Sequence, residues 1–562
     1  MRRILLVEPA YKNKYPPMGL MKISRYHKML GDSVTFVKGI DPSADQTIWD
    51  RIYVTTLFTF DFDISVETIN HYKMCVDDIR NIYVGGIMAS LMPDKVVEAT
   101  GLERRNILTG LFTDTSVVDD DNDICVDTLP LDYDILEQIE YKYPAGDNYF
   151  AYTSRGCPNH CKFCAVPILE PVFSVTNNIV DQIAAIDKEF GPKQNLLMLD
   201  NNILNAPNLE EIIDSLCKAG FGRGATFQNP GDYFIVLMRY HNGDRAEFLD
   251  QRMQNYLAAF KKRIKAQEAL TTFVRIIIDS EKAPNYAEFI LQHEQELTPI
   301  IEKYRSKAKA SRYIDFNQGV DGRRINNDTM AQLARLAIKP LRIAFDDIAY
   351  KQIYIDAVHT AYEHGVREMS NYILFNFNDK PEDLYERLRI NIELNEELGI
   401  NIFSFPMRYA PINLTDRSYV GKHWNIKYLR AISAILHVTK GVVAAGSDFF
   451  YKAFGNNVEE YYELLAMPRD MIMFRKLYED SGDTEKWRIL YRGLSECEKN
   501  DLLQLVSLPV TDIKKASIPD RLIDIIPFYL YKQTNNHIVR TNGIQMRFDD
   551  ALYSDVDDDE QD

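Results

Sequence analysis

Cysteine is scarce in this chain, with seven in 562 residues, and tryptophan is scarcer, with three. An odd, low cysteine count at this length argues against a disulfide scaffold and for a reducing compartment. Long apolar runs are missing as well. No stretch of 18 or more apolar residues occurs, so no membrane-spanning helix is expected. Positive charge is in deficit: 65 Lys and Arg face 82 Asp and Glu, a net charge of −17. That opposes non-specific nucleic-acid binding over the whole surface but leaves room for a local basic groove. Part of the acidic excess is the end, residues 555–562, expected to be a solvated disordered tail. No Ser-His-Asp set, P-loop or zinc-hydrolase motif is present. The start, Met1 to Glu8, carries a short apolar run and reads as a first strand rather than a signal peptide. A cytoplasmic protein is expected, and the length allows two to four domains.

What cysteine there is, is concentrated. Cys157, Cys161 and Cys164 fall in the run Tyr152-Thr-Ser-Arg-Gly-Cys-Pro-Asn-His-Cys-Lys-Phe-Cys-Ala-Val-Pro167, spaced C-x3-C-x2-C. A short loop with this spacing can wrap three thiolates around one metal centre. Three thiolates leave one iron of a four-iron cluster open to a further ligand. Zinc usually takes four ligands. His160 could be a fourth, but as the direct neighbour of Cys161 it strains a tetrahedral wrap. Cys75, Cys125, Cys217 and Cys497 stand alone, so no second C-x2-C pair completes a zinc site.

The cysteine trio, the aromatic Phe163 before its last member and the preceding Ser154-Arg155-Gly156 resemble the signature of the radical S-adenosylmethionine (SAM) superfamily. The resemblance implies a 4Fe-4S cluster on Cys157, Cys161 and Cys164. It implies SAM on the fourth iron, reductive cleavage to a 5′-deoxyadenosyl radical, and an electron donor such as flavodoxin or ferredoxin. It also implies a six-strand partial (β/α) barrel.

Residues 1–118 alternate strand and helix patterns: strands near 4–7, 34–37, 51–57, 81–84 and 106–109, with a helix closed by Gly31. That argues for a doubly wound parallel sheet. Pro16-Pro17-Met18-Gly19-Leu20 and Gly85-Gly86 resemble the amino-terminal, cobalamin-binding-type (Rossmann-like) domain found on some radical SAM enzymes. Cobalamin is a possible cofactor on that resemblance. The D-x-H-x-x-G motif of histidine-ligated cobalt is absent, since no histidine has Asp two residues before it. Methylthiotransferases carry a second three-cysteine cluster in this position. Here Cys75 and Cys125 are too few. Residues 119–148, with little periodicity, read as a linker.

Residues 149–425 repeat the alternation six times, with strands near 149–154, 195–199, 312–316, 341–345, 372–377 and 402–405. In such barrels chemistry lies at the carboxyl ends of strands. That nominates Asp200, Asn201 and Asn202 after the second strand, and Asn317 after the third. Asp346 follows the fourth and Asn376 the fifth; the resemblance implies that Phe163 lies beside the adenine of SAM. Each polar type can serve SAM, and each can equally cap a helix or make a turn. The family's Gly-Gly-Glu at the second strand is replaced here by Asp200-Asn201-Asn202. Arg323, Arg324 and Arg342 are candidates for an anionic group.

About 90 residues, 221–311, intervene between the second helix and the third strand, far beyond a normal connection. They read as a helical insertion with a strand at 273–278 and a long helix at 286–306. Its basic runs (Lys261, Lys262, Arg263, Lys265; Lys303, Arg305, Lys307, Lys309) lack aromatic interleaving and suit wet helix faces better than an RNA platform. Residues 426–554 read as mainly helical. Methyl transfer is one candidate net reaction, and a metal-binding interaction protein without catalysis is the alternative.

Overall fold

The computed structural model describes residues 1–530, and the expected acidic tail at 555–562 lies outside them. The architecture is mixed α/β with parallel sheets. Four strands, β1 (Arg3–Glu8), β2 (Ser33–Lys38), β3 (Arg51–Thr56) and β4 (Ile82–Gly86), form one parallel sheet in the order β2-β1-β3-β4. Their apolar runs are buried on both faces, as parallel strands between helices require. Residues 106–109 give a single bridge, Ile107 to Val84, rather than a fifth strand. Gly86 has φ +97°, and a Cβ there would run into the Thr56 carbonyl, so this turn requires glycine.

The second parallel run begins at β5 (Tyr149–Ala151). A two-residue antiparallel ribbon follows, β6 (Ser154–Arg155) against β7 (Ser174–Val175), and closes the base of the cysteine loop. β8 (Leu196–Met198) pairs with β5. Another short ribbon, β9 (Thr226–Phe227) against β10 (Ala310–Ser311), closes the neck of the insertion. β11 (Ile314–Phe316) pairs with β8. β12 (Leu341–Arg342), β13 (Glu368–Phe375) and β14 (Asn401–Arg408) form a further parallel sheet in that order. Parallel bridges from Ile314 to Ile338 and from Val320 to Ile343 join the two three-stranded sheets. Helices Ile179–Phe190, Leu209–Leu216, Asn327–Leu333, Lys351–Glu363 and Pro381–Leu398 follow the successive strands. One core spans both regions: Ile4 and Leu6 of β1 share it with Leu196, Ile314 and Leu341. The segment 119–148 is folded onto the same core through Leu131, Tyr133 and Ile135.

The residues between β9 and β10 are mainly helical and have their own core, around Tyr233, Met253, Phe273 and Ile290. The strand expected at 273–278 is instead the second half of helix Gln267–Ser280. Its β-branched run misleads. Phe273, Ile276 and Ser280 bury one face at helical spacing, and tertiary packing overrides propensity. The helix expected over 286–306 is two helices, Tyr286–Gln292 and Glu294–Tyr304, which part at His293. Residues 426–530 are mainly helical, and the rest of the expected helical region, 531–554, lies outside the described residues. Helices such as Ile426–Val438, Val458–Ala466 and Asp483–Arg492 share a core with Leu384 and Leu388 of helix Pro381–Leu398. No helix among the described residues is long and apolar enough to cross a membrane.

Candidate iron–sulfur and SAM site

The cysteine loop leaves the ribbon β6–β7 at the carboxyl end of β5, and a dense polar set fixes its root. Glu170 is the centre of that set. Its Oε2 accepts from the Gly156 N–H at 2.6 Å and from Asn201 Nδ2 at 2.9 Å, while Oε1 accepts from Arg155 at 3.2 Å. Arg155 also pairs with Asp127 of the segment 119–148, which Lys22 meets at 2.9 Å. The Arg155 guanidinium lies 3.5 Å from the Tyr152 ring centre. Gly156 has φ +71°, and a Cβ there would strike the Val172 and Glu170 carbonyls. The loop root therefore admits no side chain at this position.

Cys157, Cys161 and Cys164 are half-buried free thiols. Cys157 Sγ accepts from the Asn159 N–H and from Asn202 Nδ2, both at 3.4 Å. Burial pushes the Cys161 and Cys164 thiols up, and the neighbouring thiols and Asp346 add to the effect. Arg323 opposes it at Cys161 and the Val166 N–H opposes it at Cys164. Asn159 Nδ2 donates to Asp321 at 3.0 Å, which ties the loop to the end of β11.

The second strand end is underpaired. Asp200 Oδ1 accepts from the Thr153 N–H, Thr153 Oγ1 and Ser154 Oγ at 2.9, 2.8 and 2.7 Å. Its other oxygen has no partner, and neither do Asn202 Oδ1, Asn205 Nδ2 and Asn208 Oδ1, all buried. Native folds rarely leave buried polar atoms orphaned without a ligand, ion or water in view. Burial raises the Asp200 carboxyl.

The remaining nominated residues divide. Asp346 is half-buried beside the thiols, and burial raises its carboxyl to about 6. Asn317 is buried, with Oδ1 accepting from Tyr15 at 2.6 Å and its carbonyl from Tyr372 at 2.7 Å. Asn376 is buried with φ +68°. Its amide donates to the Tyr409 and Tyr419 carbonyls at 3.0 and 3.2 Å and accepts from the Gly421 N–H at 2.8 Å. Its side chain thus knits three segments together. Phe163 packs edge-on against Phe377, centroids 5.9 Å apart. Arg342 holds Asp315 through two bonds, and Arg323 holds Asp321. Arg324 is exposed.

One residue with no motif matters here. Arg387, fully buried on helix Pro381–Leu398, donates to the Phe345, Asp346 and Leu374 carbonyls at 3.2, 2.9 and 2.8 Å and to Asp379 at 3.0 Å. It clamps the carboxyl ends of two adjacent strands beneath Asp346. No local sequence signal marks it, because its carbonyl partners at Phe345 and Leu374 lie on other elements.

No three His, Cys, Asp or Glu side chains among the described residues converge as a single metal ion requires. A four-iron cluster asks something different, because each thiolate binds its own iron. Three neighbouring thiols on one loop, beside unpartnered amide and carboxylate atoms, fit that demand.

No family model matches the chain. Over 69 residues it is 35% identical to a protein named probable dual-specificity RNA methyltransferase RlmN, from Caldanaerobacter subterraneus subsp. tengcongensis. The match covers 12% of this chain and 20% of that protein, so the chain spans about a fifth of the length of the curated relative it matches.

Proposed function

We propose that the chain is a radical SAM enzyme. The observation that carries the reading is the thiol trio Cys157, Cys161 and Cys164 at the carboxyl end of β5, beside the unpartnered Asp200 Oδ2 and Asn202 Oδ1. These three cysteines would hold a 4Fe-4S cluster. Bound there, the cluster supplies the electron that cleaves SAM to methionine and a 5′-deoxyadenosyl radical. The protein's share is orientation and exclusion of water. Glu170, Arg155 and Asn201 hold the loop root, and Arg387 holds the opposing strand ends. Asp200, Asn202 and Asp346 are the polar groups offered to SAM, with Phe163 beside its adenine. In this reading residues 149–425 are a six-strand partial barrel, 221–311 its insertion, 1–118 a Rossmann-like domain and 119–148 the linker. A small electron carrier such as flavodoxin or ferredoxin would reduce the cluster in the cytoplasm.

Methyl transfer is the net reaction favoured by the partial likeness to a protein named as an RNA methyltransferase, and RNA is the first acceptor to test. Cobalamin has no place in this reading. What supports leaving it out lies at the carboxyl end of β1, beside the β1–β3 switch point where a sheet of order β2-β1-β3-β4 takes ligands. Glu8, Lys38, Asn13 and Tyr143 bond to one another there, and Tyr11 donates to the Thr55 carbonyl at 3.2 Å.

Anaerobic reconstitution with iron and sulfide tests the reading. About four irons per chain and 5′-deoxyadenosine on reduction with SAM are expected, and Cys161→Ala should abolish both. A zinc-loaded protein that leaves SAM intact would overturn it.

A further inference from the structure

Three consecutive residues after β8 bond to successive parts of the cysteine loop. Asp200 Oδ1 accepts from Thr153 and Ser154, just before the loop. Asn201 Nδ2 donates to Glu170, which also accepts from the Gly156 N–H. Asn202 Nδ2 donates to Cys157 Sγ at 3.4 Å. The strand end and the loop are therefore tied at three points, and the first two hold Asn202 against the sulfur. Asn202 is 3% exposed, and its two ends meet different things. The N–H end meets sulfur. The carbonyl end, Oδ1, is buried without a partner. Its main-chain carbonyl is already used, accepting from the Asn205 N–H at 3.2 Å in the short turn Ile203–Asn205. The Asn159 N–H at Cys157 and the Val166 N–H at Cys164 are backbone donors, fixed by the course of the loop. Asn202 is a side-chain amide with one end on sulfur and the other end open.

An amide is one conjugated unit. A donor that bonds to its oxygen polarises it and makes its N–H a stronger donor in turn. Hydrogen bonds to the sulfurs help set the reduction potential of an iron–sulfur cluster. An N–H aimed at sulfur favours the reduced form, which carries the extra negative charge. We infer that Asn202 couples the SAM site to the cluster. An N–H or O–H of SAM on Oδ1 strengthens the N–H···S bond at Cys157 and so makes the cluster easier to reduce. In that reduction one electron arrives from a one-electron carrier protein, and no bond forms or breaks. The coupling is reciprocal by linkage, so the reduced cluster holds SAM more tightly by the same factor. Asp200 also keeps an unpartnered oxygen, but its bonded end meets a backbone N–H and two hydroxyls rather than sulfur. The inference rests on the radical SAM reading and adds to it a route by which an empty site keeps its cluster hard to reduce.

The test is an anaerobic redox titration of the full-length, reconstituted chain, read by the electron paramagnetic resonance of the reduced cluster. It is run without ligand and with saturating S-adenosylhomocysteine, which the reduced cluster does not cleave. Iron content and SAM cleavage are measured on the same wild-type batch. Without ligand, Asn202→Ala should lower the ratio of reduced to oxidised cluster at a fixed poise about tenfold, which is about 59 mV for one electron. Ligand should raise that ratio in the wild type, and the rise should shrink about threefold or more in Asn202→Ala. Asn202→Asp fills the same volume and keeps an acceptor but removes the N–H, so it should bind the ligand and lose the same part of the rise. Asn205→Ala, on the same stretch without a bond to sulfur, should match the wild type in both conditions. Thermal melting should be nearly unchanged in all three variants. An unchanged potential in ligand-free Asn202→Ala overturns the inference, as does a ligand-induced rise equal to that of the wild type. If either is found while the wild type holds about four irons and cleaves SAM, the coupling falls and the enzyme reading stands. If the wild type takes up no four-iron cluster, the enzyme reading falls and the coupling falls with it.

Discussion

Two sets of parallel strands end in polar residues, and the two ends are built in opposite ways. Above β1 and β2, Glu8 accepts from Asn13 at 2.8 Å and Lys38 at 2.6 Å, with Tyr143 on the same carboxylate. Tyr141 and Tyr143 crowd the Lys38 ammonium. Every charge there is answered from within the chain. Above β5 and β8, Asp200 and Asn202 each keep one buried atom without a partner. Carboxyl strand ends are the side on which parallel sheets take ligands. Unspent hydrogen-bonding capacity separates the two, and it points to the cysteine loop.

The largest effect that could break this contrast lies at the closed end. Glu8→Ala leaves the buried Lys38 ammonium unpaired, and a loss of about 3–5 kcal/mol in unfolding free energy is expected from urea titration. SAM cleavage per folded, cluster-loaded chain should change less than twofold. A fall as deep as that of Cys161→Ala would mean the closed end belongs to the reaction.

A smaller effect comes from the network behind the same sheet. His27 is fully buried between Asp32 at 2.9 Å and Tyr53 at 3.0 Å, and burial lowers its pKa to about 4. The unfolded chain takes up a proton near 6.5 that the folded chain refuses until about 4. Stability is therefore fully present above 6.5 and falls as pH drops toward 4, by up to about 3 kcal/mol. Urea midpoints at pH 7, 5.5 and 4.5 should follow that slope, and His27→Gln should flatten it. An unchanged slope in the variant would assign the effect to other groups.

The smallest stability effect is expected at the open end. Asn202→Ala removes an orphaned oxygen and a long contact to sulfur, so unfolding free energy should move by less than about 1 kcal/mol. The KM for SAM should rise severalfold all the same. A destabilisation of several kcal/mol without a change in KM would make the open end structural after all.

Local signals carried much of the fold. Among the described residues, apolar runs and punctuating glycines placed ten of the eleven strands expected outside 221–311 to within a few residues, because each burial pattern is written in contiguous sequence. The cysteine loop was legible for the same reason. The insertion misled at 273–278, where β-branched residues lie on a helix face that another helix covers. Glu170, Arg155 and Arg387 could not be weighed from sequence, because their partners are Asn201, Asp127 and the Phe345 and Leu374 carbonyls, distant along the chain. The rings beside the cysteine loop are the extreme case. Phe163, Phe377 and Tyr409 belong to three separate stretches and meet through tertiary folding alone.

The ribbon β9–β10 has a consequence for how this chain can be edited. Thr226 and Phe227 lie opposite Ser311 and Ala310, so the path leaves the sheet β11-β8-β5 and returns within about one strand spacing, near 4.8 Å. A tight turn of a few residues could bridge that gap without shifting β8 against β11, whose register is set by their own pairing. What an excision would uncover is the face of helix Ile179–Phe190 that helix Asp232–His241 shields, together with Asp134, which would lose Arg239. A shortened chain would thus need polar replacements on one helix face and a new partner for one carboxylate. The thiol loop, on the far side of that neck in connectivity, would keep every hydrogen bond described for it.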